Sequence, residues 1–278
     1  MAETKQRQTG IAEVNGTSLY YEVEGEGHPF VMVHGGLVDR RLWDEQFDVF
    51  AQHYKMIRFD MRGFGDSGLY KADMAPFRLD DDLYELLRFL GIEKTYVMGL
   101  SMGGAVAIDF TLAHPEMVDA LIPVAMGLGG FEGDDSNKPL WMAIEAAFKE
   151  GDFEKAAELS TRMWTDGPVR TPDQVDPAVR ERVKAMTLHN YQRPDDNDAP
   201  DPQELEPPAA QRLVEIRVPT LIIVGDADVR EILTIADTLV AGVKGAKKEV
   251  IPNTAHHLNM EKPEEFNSIV LNFLGTLQ

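Results

Sequence analysis

Short apolar runs alternate with amphipathic stretches along most of the chain, and this alternation predicts the fold. Seven runs have the length of a strand, at 17–23, 29–33, 55–59, 95–98, 120–126, 220–224 and 248–251. Helical patterns fall between them, as in 79–90, where leucines form one stripe and Gly91 follows as a stop signal. Strands that alternate with helices predict an α/β fold, with a mostly parallel central sheet covered by helices on both faces.

The alternation stops between residues 129 and 211, where no run resembles a strand. Three helical patterns lie in this segment, at 140–149, 153–164 and 177–189. We expect an all-helical insertion of this kind to form a cap over the carboxyl edge of the sheet, where open α/β sheets bind ligands. The prediction is therefore a core of residues 1–128 and 212–278 and a cap of residues 129–211. The acidic, proline-rich stretch 193–202 is expected to be a mobile linker.

Charge and composition exclude several classes of function. The chain has 47 Asp and Glu residues and 27 Lys and Arg residues, and the resulting formal net charge of −20 would repel a nucleic acid backbone. The absence of cysteine excludes disulfides, thiolate catalysis and cysteine-based zinc sites. The N-terminal residues are polar, and no stretch approaches the roughly 20 apolar residues that span a bilayer. We therefore expect a cytoplasmic protein with no membrane or nucleic acid partner, and a homo-oligomer is compatible with the sequence.

The strongest chemical signal is the segment Gly-Leu-Ser-Met-Gly-Gly at 99–104, which links the apolar run 95–98 to a helical stretch. Ser101 lies where a buried strand turns sharply into a helix, and such a turn requires small residues on both sides of the serine. The hydroxyl would stand at the positive end of a helix, where a developing alkoxide is favoured. Ser101 is therefore a candidate nucleophile.

A serine nucleophile requires a base to take its proton and an acid to orient that base. Two carboxylates, Asp226 and Asp228, follow the strand-like run 220–224, and two histidines, His256 and His257, follow the run 248–251. All of them fall on strand-end loops at the edge of the sheet that carries Ser101. No further ligands accompany the two histidines, so the pattern predicts no metal site.

Five motifs in the same order resemble those of α/β-hydrolase-fold serine hydrolases, and they cover nearly the whole chain. They are His-Gly-Gly at 34–36, Asp-Met-Arg-Gly-Phe-Gly-Asp-Ser at 60–67, the serine segment at 99–104, Gly-Asp-Ala-Asp at 225–228, and the stretch from the histidine pair to Glu-Lys-Pro at 256–263. The serine segment and the C-terminal ending are similar to those of 3-oxoadipate enol-lactonases and carboxylesterases. The resemblance implies Ser101 as nucleophile, Asp228 as orienting acid and His256 as general base.

The resemblance also selects one residue from each of two doublets, the carboxylates Asp226 and Asp228 and the histidines His256 and His257. In relatives the acid lies three residues after the turn glycine, which favours Asp228 over Asp226. The active histidine precedes a structural glutamate, here Glu261, by five residues, which favours His256 over His257.

Two backbone N–H groups, of Gly36 and Met102, are implied as the oxyanion hole. His34 and the motif at 60–67 are expected to brace their loops. The tryptophans of the cap have two equally good explanations, which are packing between the cap helices and contact with a substrate. The candidate substrate-pocket residues are Leu37, Met126, Trp141 and Trp164.

The predicted function is hydrolysis of a small carboxylic ester or lactone through an acyl-enzyme on Ser101, with no cofactor. A serine in this position argues against dehalogenases and epoxide hydrolases, which use aspartate there. One alternative is a hydrolase of carbon–carbon bonds in vinylogous diketones, although relatives of that kind usually have Gly-Asn-Ser at this turn. A ligand-binding receptor that keeps the hydrolase fold is the alternative from another class.

Overall fold

Eight strands form one central sheet in the computed structural model, which describes residues 7–133, 136–196 and 198–277. The strands are β1 (Gln8–Val14), β2 (Thr17–Glu24), β3 (Pro29–Val33), β4 (Lys55–Phe59), β5 (Thr95–Leu100), β6 (Val118–Val124), β7 (Leu221–Gly225) and β8 (Lys247–Ile251). Their order across the sheet is β1-β2-β4-β3-β5-β6-β7-β8. Neighbouring strands from β4 to β8 pair in parallel, and β1 and β2 pair antiparallel.

Helices cover both faces of this sheet, and the predicted α/β fold is confirmed. They are α1 (Asp44–Phe50), α2 (Leu79–Phe89), α3 (Met102–Ala113), α4 (Lys138–Lys149), α5 (Phe153–Thr161), α6 (Pro177–Tyr191), α7 (Arg230–Gly242), α8 (Leu258–Glu261) and α9 (Pro263–Gly275). The inner strands β3, β5, β6 and β7 are buried on both faces, which explains why their sequences are continuous apolar runs. No helix in the described parts of the chain has the length and apolarity to span a bilayer.

Strand β1 is the one strand that the sequence analysis did not predict. It pairs with β2 through the dipeptide Asn15-Gly16, and both residues have positive φ angles, of 47° and 71°. Such a two-residue turn matches the right-handed twist of a hairpin, and Asn-Gly is its preferred sequence. The sequence indication of this hairpin is therefore the turn Asn15-Gly16, whereas strand β1 itself is mostly exposed.

The segment between β6 and β7 contains α4, α5 and α6, as the helical patterns predicted. A short π-helical turn, Arg162–Asp166, continues α5. The stretch 193–202 was expected to be a mobile linker, but its described residues bond to the loop between β4 and α2. Arg193 donates to the carbonyl oxygens of Gly65 and Ser67, and Asp195 accepts the backbone N–H of Tyr70 at 2.6 Å. These bonds explain why so polar a stretch follows the surface of the core.

The aspartates of the first turn of α2 have arginine partners. Asp82 forms a two-bond ion pair with Arg62 at 2.6 and 2.9 Å, and both side chains are 2% exposed. Asp80 pairs in the same way with Arg78. The Asp-x-Arg motif thus braces the loop after β4 against α2.

Asp109, in the middle of α3, has no such arginine partner among the residues that the structure describes. Its Oδ1 atom is buried and, among the described residues, accepts no hydrogen bond. Burial, followed by the negative charge of Asp80, raises the pKa of Asp109 to about 7. Since the ordinary value is 3.8, the folded state binds more protons than the unfolded state between pH 4 and 7. The contribution of Asp109 to stability is therefore lost as the pH rises through that window.

We expect Asp109→Asn to raise the free energy of unfolding at pH 8 by about 1–3 kcal/mol, because the amide carries no charge to desolvate. Near pH 4 the variant and the parent should have the same melting temperature. Thermal unfolding at the two pH values measures the difference. Asp237→Asn, which removes an exposed carboxylate paired with Lys248, is the control and should show no such gain. A difference for Asp109→Asn that does not change with pH would contradict the assignment.

Candidate active site

The turn between β5 and α3 holds Ser101 in a strained conformation. Its φ and ψ angles are 57° and −117°, which a residue with a side chain rarely adopts. A Cβ on Gly99 would overlap the carbonyl oxygen of Gly103, and a Cβ on Gly103 would overlap that of His34. The glycines of the motif are therefore required by the close approach of strand, turn and helix. The turn places Ser101 on the wall of a cavity at the carboxyl end of β5.

Two further strand ends contribute an acid and a histidine. Asp228 follows β7 and His256 follows β8, and each is 3% exposed. His256 Nδ1 lies 2.9 Å from Asp228 Oδ2, so the carboxylate holds the tautomer in which Nδ1 carries the proton. Nε2 is then the ring nitrogen that can accept a proton. His256 lines the same cavity as Ser101.

The other members of the two doublets have different contacts. Asp226 is exposed and accepts the backbone N–H of Asn253 at 2.6 Å, which ties together the turns after β7 and β8. His257 is buried, and its Nδ1 lies 3.1 Å from Thr165 Oγ1. Burial, and secondarily the neighbouring His256, lowers the pKa of His257 well below its ordinary value. The carboxylate that reaches a histidine is thus Asp228, and the histidine that it reaches is His256.

The backbone after β3 approaches the start of α3. Gly36 and Met102 both line the cavity, and a Cβ on Gly36 would lie 3.9 Å from the Met102 side chain. Met102 is the first residue of α3, where backbone N–H groups have no partner within the helix. His34 braces this turn: its Nδ1 donates to Gly35 O at 2.7 Å, and its Nε2 accepts from Met61 N at 2.9 Å.

The cavity has a volume of about 450 Å³ and lies between the strand-end loops and the helices α4, α5 and α6 of the predicted cap. Of the predicted pocket residues, Leu37, Trp141 and Trp164 line it. Met126 does not, and that prediction is wrong: it is fully buried, with its Cβ 2.6 Å from where a Cβ on Gly104 would lie. The backbone after β6 directs Met126 under α3. The apolar and polar residues of the wall that the sequence analysis missed include Phe64, Leu128, Val183, Thr187, Ile232 and Ile235.

A π-helical turn connects the cap to His256. Trp164 lies in this turn; its carbonyl oxygen accepts the backbone N–H of His256 at 3.1 Å, and its ring centroid is 4.5 Å from that of the imidazole. Thr165, the next residue, contacts His257. A π turn widens a helix by one residue and is common at functional sites. Here it directs two consecutive residues onto the two histidines.

An ion pair fixes the histidine loop from the other side. Arg170 of the cap donates to both carboxylate oxygens of Glu261, at 2.6 and 3.0 Å, and both side chains are less than one-tenth exposed. Glu261 Oε1 also accepts the backbone N–H of Ala255 at 2.9 Å, directly before His256. These bonds account for the structural role expected of Glu261, whereas no sequence motif pointed to Arg170.

Three features are those of an α/β hydrolase: the sharp turn at Ser101 between β5 and α3, the strand order, and the cavity at the carboxyl ends of the strands. The family described as alpha/beta hydrolase fold matches residues 28–263, and the chain belongs to it. It is a hydrolase of that fold, as predicted. Within residues 7–133, 136–196 and 198–277, no group of three or more His, Cys, Asp or Glu side chains could hold a metal ion.

Relatives of the chain act on several kinds of substrate. It is 26% identical over 250 residues to the pimeloyl acyl-carrier-protein methyl ester esterase of Aliivibrio fischeri, covering 89% of this chain and 86% of that protein. It is 28% identical over 269 residues to the 2-hydroxy-6-oxononadienedioate/2-hydroxy-6-oxononatrienedioate hydrolase of Paraburkholderia xenovorans, covering 92% and 90%. The crystal structure of the enol-lactonase from Burkholderia xenovorans is similar in fold, with a TM-score of 0.74 and 22% identity over 96% of this chain and all of that one.

Proposed function

We propose that the chain is a serine hydrolase of neutral carboxylic esters or lactones, which acts through an acyl-enzyme on Ser101. The observation that carries the proposal is the hydrogen bond between His256 Nδ1 and Asp228 Oδ2, with Ser101 on the wall of the cavity that His256 also lines. Nucleophile, base and orienting acid then come from the ends of β5, β8 and β7. This set of groups performs acyl transfer on unrelated folds.

In the proposed reaction, Ser101 Oγ attacks the ester carbonyl carbon while His256 Nε2 takes the hydroxyl proton. The N–H groups of Gly36 and Met102 stabilise the oxyanion, and His256 gives the proton to the departing alkoxide, which leaves as the alcohol. Water then attacks the acyl-enzyme, with His256 taking its proton. Ser101 recovers that proton, and the carboxylic acid is released. Asp228 stays ionised and stabilises the imidazolium in both halves of the reaction.

The charge of the cavity favours a neutral substrate. Among the described residues that line it there is no lysine or arginine, and one carboxylate, that of Glu231, is present. A substrate with a carboxylate beside the reacting carbon would lose its hydration without gaining a cationic partner. This observation supports an ester or lactone over a carbon–carbon substrate of the dioate kind named for the Paraburkholderia relative.

We assign the selection of substrates to the cap, residues 129–211. Trp141, Trp164 and Val183 lie in its helices and turn, and they line the same cavity as Gly36 and Met102 of the core. The acyl or alcohol group of a substrate bound at Ser101 would therefore contact cap side chains, whereas its carbonyl would contact the core.

Covalent labelling with an alkyl p-nitrophenyl phosphonate tests the acyl-enzyme directly. This reagent phosphonylates an activated serine and releases p-nitrophenolate, and we expect one equivalent of release and an adduct on Ser101 in the peptide mass spectrum. The Ser101→Ala variant is the control and should remain unlabelled. Absence of an adduct, or an adduct on another residue, would refute the proposed nucleophile. The absence of any adduct would also favour a ligand-binding receptor on this fold.

A further inference from the structure

A second, larger cavity adjoins the one that contains Ser101. Its volume is about 910 Å³, and its walls come from α4, α5 and α6 in the cap and from the loop between β4 and α2 in the core. Leu37, Phe64 and Trp141 line both spaces, so these three side chains form the boundary between them. We call the larger space the distal chamber; beyond this boundary it is bounded by Tyr70, Ile144, Phe148, Phe153 and Tyr191.

The wall of the distal chamber is more apolar than polar, and aromatic rings form a large part of it. The centroid of the Phe148 ring lies 5.4 Å from that of Phe153 and 5.1 Å from that of Tyr191. Phe148 is 38% exposed and Trp141 is 44% exposed, although each is in ring contact with partly buried aromatic side chains. Apolar surface of this extent is costly to leave in water and is characteristic of a binding site. The rings offer a hydrocarbon chain a large area of contact at a low cost in conformational entropy.

The charges of the distal chamber compensate one another. Lys149 lies 3.5 Å from Glu145, and Arg193 Nε lies 3.6 Å from a carboxylate oxygen of Asp195. The hydroxyl of Tyr191 bonds to Ser160 Oγ at 2.9 Å. A charged occupant would therefore meet both signs of charge equally, whereas a neutral apolar occupant would meet the rings.

Hydrogen bonds hold the boundary between the two cavities in place. Asn190 of α6 donates to Leu37 O at 3.1 Å and accepts the backbone N–H of Gly65 at 3.0 Å. One cap side chain thus fixes both core loops that reach the boundary. Ser160 lines the cavity at Ser101 and Tyr191 lines the distal chamber, so their hydrogen bond lies between the two spaces. These bonds fix the residues around the place where the two cavities meet.

We propose that the distal chamber binds the long hydrocarbon arm of a neutral ester whose carbonyl group lies at Ser101. The arm passes Leu37, Phe64 and Trp141 and ends among the aromatic rings of the cap. This inference rests on the proposed ester hydrolysis and names the class of substrate for it. Burial of the arm supplies binding energy remote from the reacting bond, and each buried methylene should raise kcat/KM by about fourfold until the chamber is full.

Hydrolysis of p-nitrophenyl butyrate and p-nitrophenyl dodecanoate, each below its critical micelle concentration, tests this proposal. For the parent protein we expect kcat/KM to be at least about tenfold higher for the dodecanoate. Phe148→Ala should lower the dodecanoate-to-butyrate ratio by about fivefold or more, because the chain loses the ring at the centre of the aromatic wall. Phe89→Ala is the matched control: Phe89 is 53% exposed, ends α2 and contacts Tyr21, and its loss should leave the ratio unchanged.

Two results would overturn the proposal: a kcat/KM for the dodecanoate that is no higher than that for the butyrate in the parent protein, or an equal loss for both esters in Phe148→Ala. Thermal unfolding shows whether that variant is folded, and Phe148→Leu, which keeps part of the contact, replaces it if it is not. Failure of the proposed ester hydrolysis looks different. In that case Ser101→Ala would hydrolyse both esters as fast as the parent, whatever the ratio between them.

Discussion

Replacement of Ser101 by alanine is expected to lower kcat for p-nitrophenyl butyrate by about four to six orders of magnitude. The variant lacks the atom that we propose forms the acyl-enzyme, and under the same proposal what remains is catalysis by binding and by the N–H groups of Gly36 and Met102. The fold should persist, because alanine keeps the Cβ of serine and meets the same backbone strain at a φ of 57°. Initial rates of p-nitrophenolate release, with enzyme concentrations high enough to detect slow turnover, measure the loss.

Ser160→Ala is a matched control for this variant. Ser160 lines the same cavity, but its hydroxyl bonds to Ala156 O and to the hydroxyl of Tyr191. We expect Ser160→Ala to retain a rate within about tenfold of the parent, since it loses two hydrogen bonds of ordinary strength. Equal rates for the parent and Ser101→Ala would remove Ser101 from the reaction.

The second large effect is expected at the histidine pair. His256→Ala should lower kcat by a similar four to six orders of magnitude, roughly as much as Ser101→Ala, because nucleophile and base act as a unit. His257→Ala should retain activity within about a factor of ten. The double variant of Ser101 and His256 should be no slower than either single variant. Steady-state kinetics on the parent and these four variants measure this pattern.

The physical reason for the difference lies in the contacts of the two rings. His256 is oriented by the Asp228 carboxylate, whereas His257 is buried, contacts Thr165 and has a pKa held well below its ordinary value. An imidazole with a low pKa is a weak proton acceptor and makes a poor general base. If His257→Ala proved the slower of the two variants, the base would have to be reassigned, and Asp228 would lose its role as the orienting acid.

The sequence was most informative where backbone geometry restricts the choice of residue. The glycines around Ser101 are required by contacts of less than a van der Waals distance, so the motif predicted both the turn and its position at the end of β5. The inner strands were found because burial on both faces demands unbroken apolar runs. Resemblance to relatives then selected Asp228 and His256, and the geometry places these two side chains in contact.

The errors arose where side-chain direction or distant contacts decide the outcome. Met126 was assigned to the pocket and lies at the end of the predicted run 120–126, but the strand ends at Val124, and the chain turns at Ala125, with a φ of 40°, and directs Met126 beneath α3. The stretch 193–202 has the composition of a linker, yet Arg193 finds carbonyl oxygens of a loop more than a hundred residues earlier. Composition reports the average solvation of a segment and carries no information about such a partner.

The ion pair between Arg170 and Glu261 has a consequence for protein engineering. The two residues lie on opposite sides of the predicted boundary at residue 211, and Trp164 bonds to the His256 backbone across the same boundary. A chimera that received the predicted cap segment of another hydrolase of this fold would therefore inherit a foreign surface against the histidine loop. Cap grafts should regain turnover only when the donor supplies an arginine opposite Glu261 and a carbonyl group for His256. An exchange of the cap in this hydrolase therefore has to include part of the histidine loop.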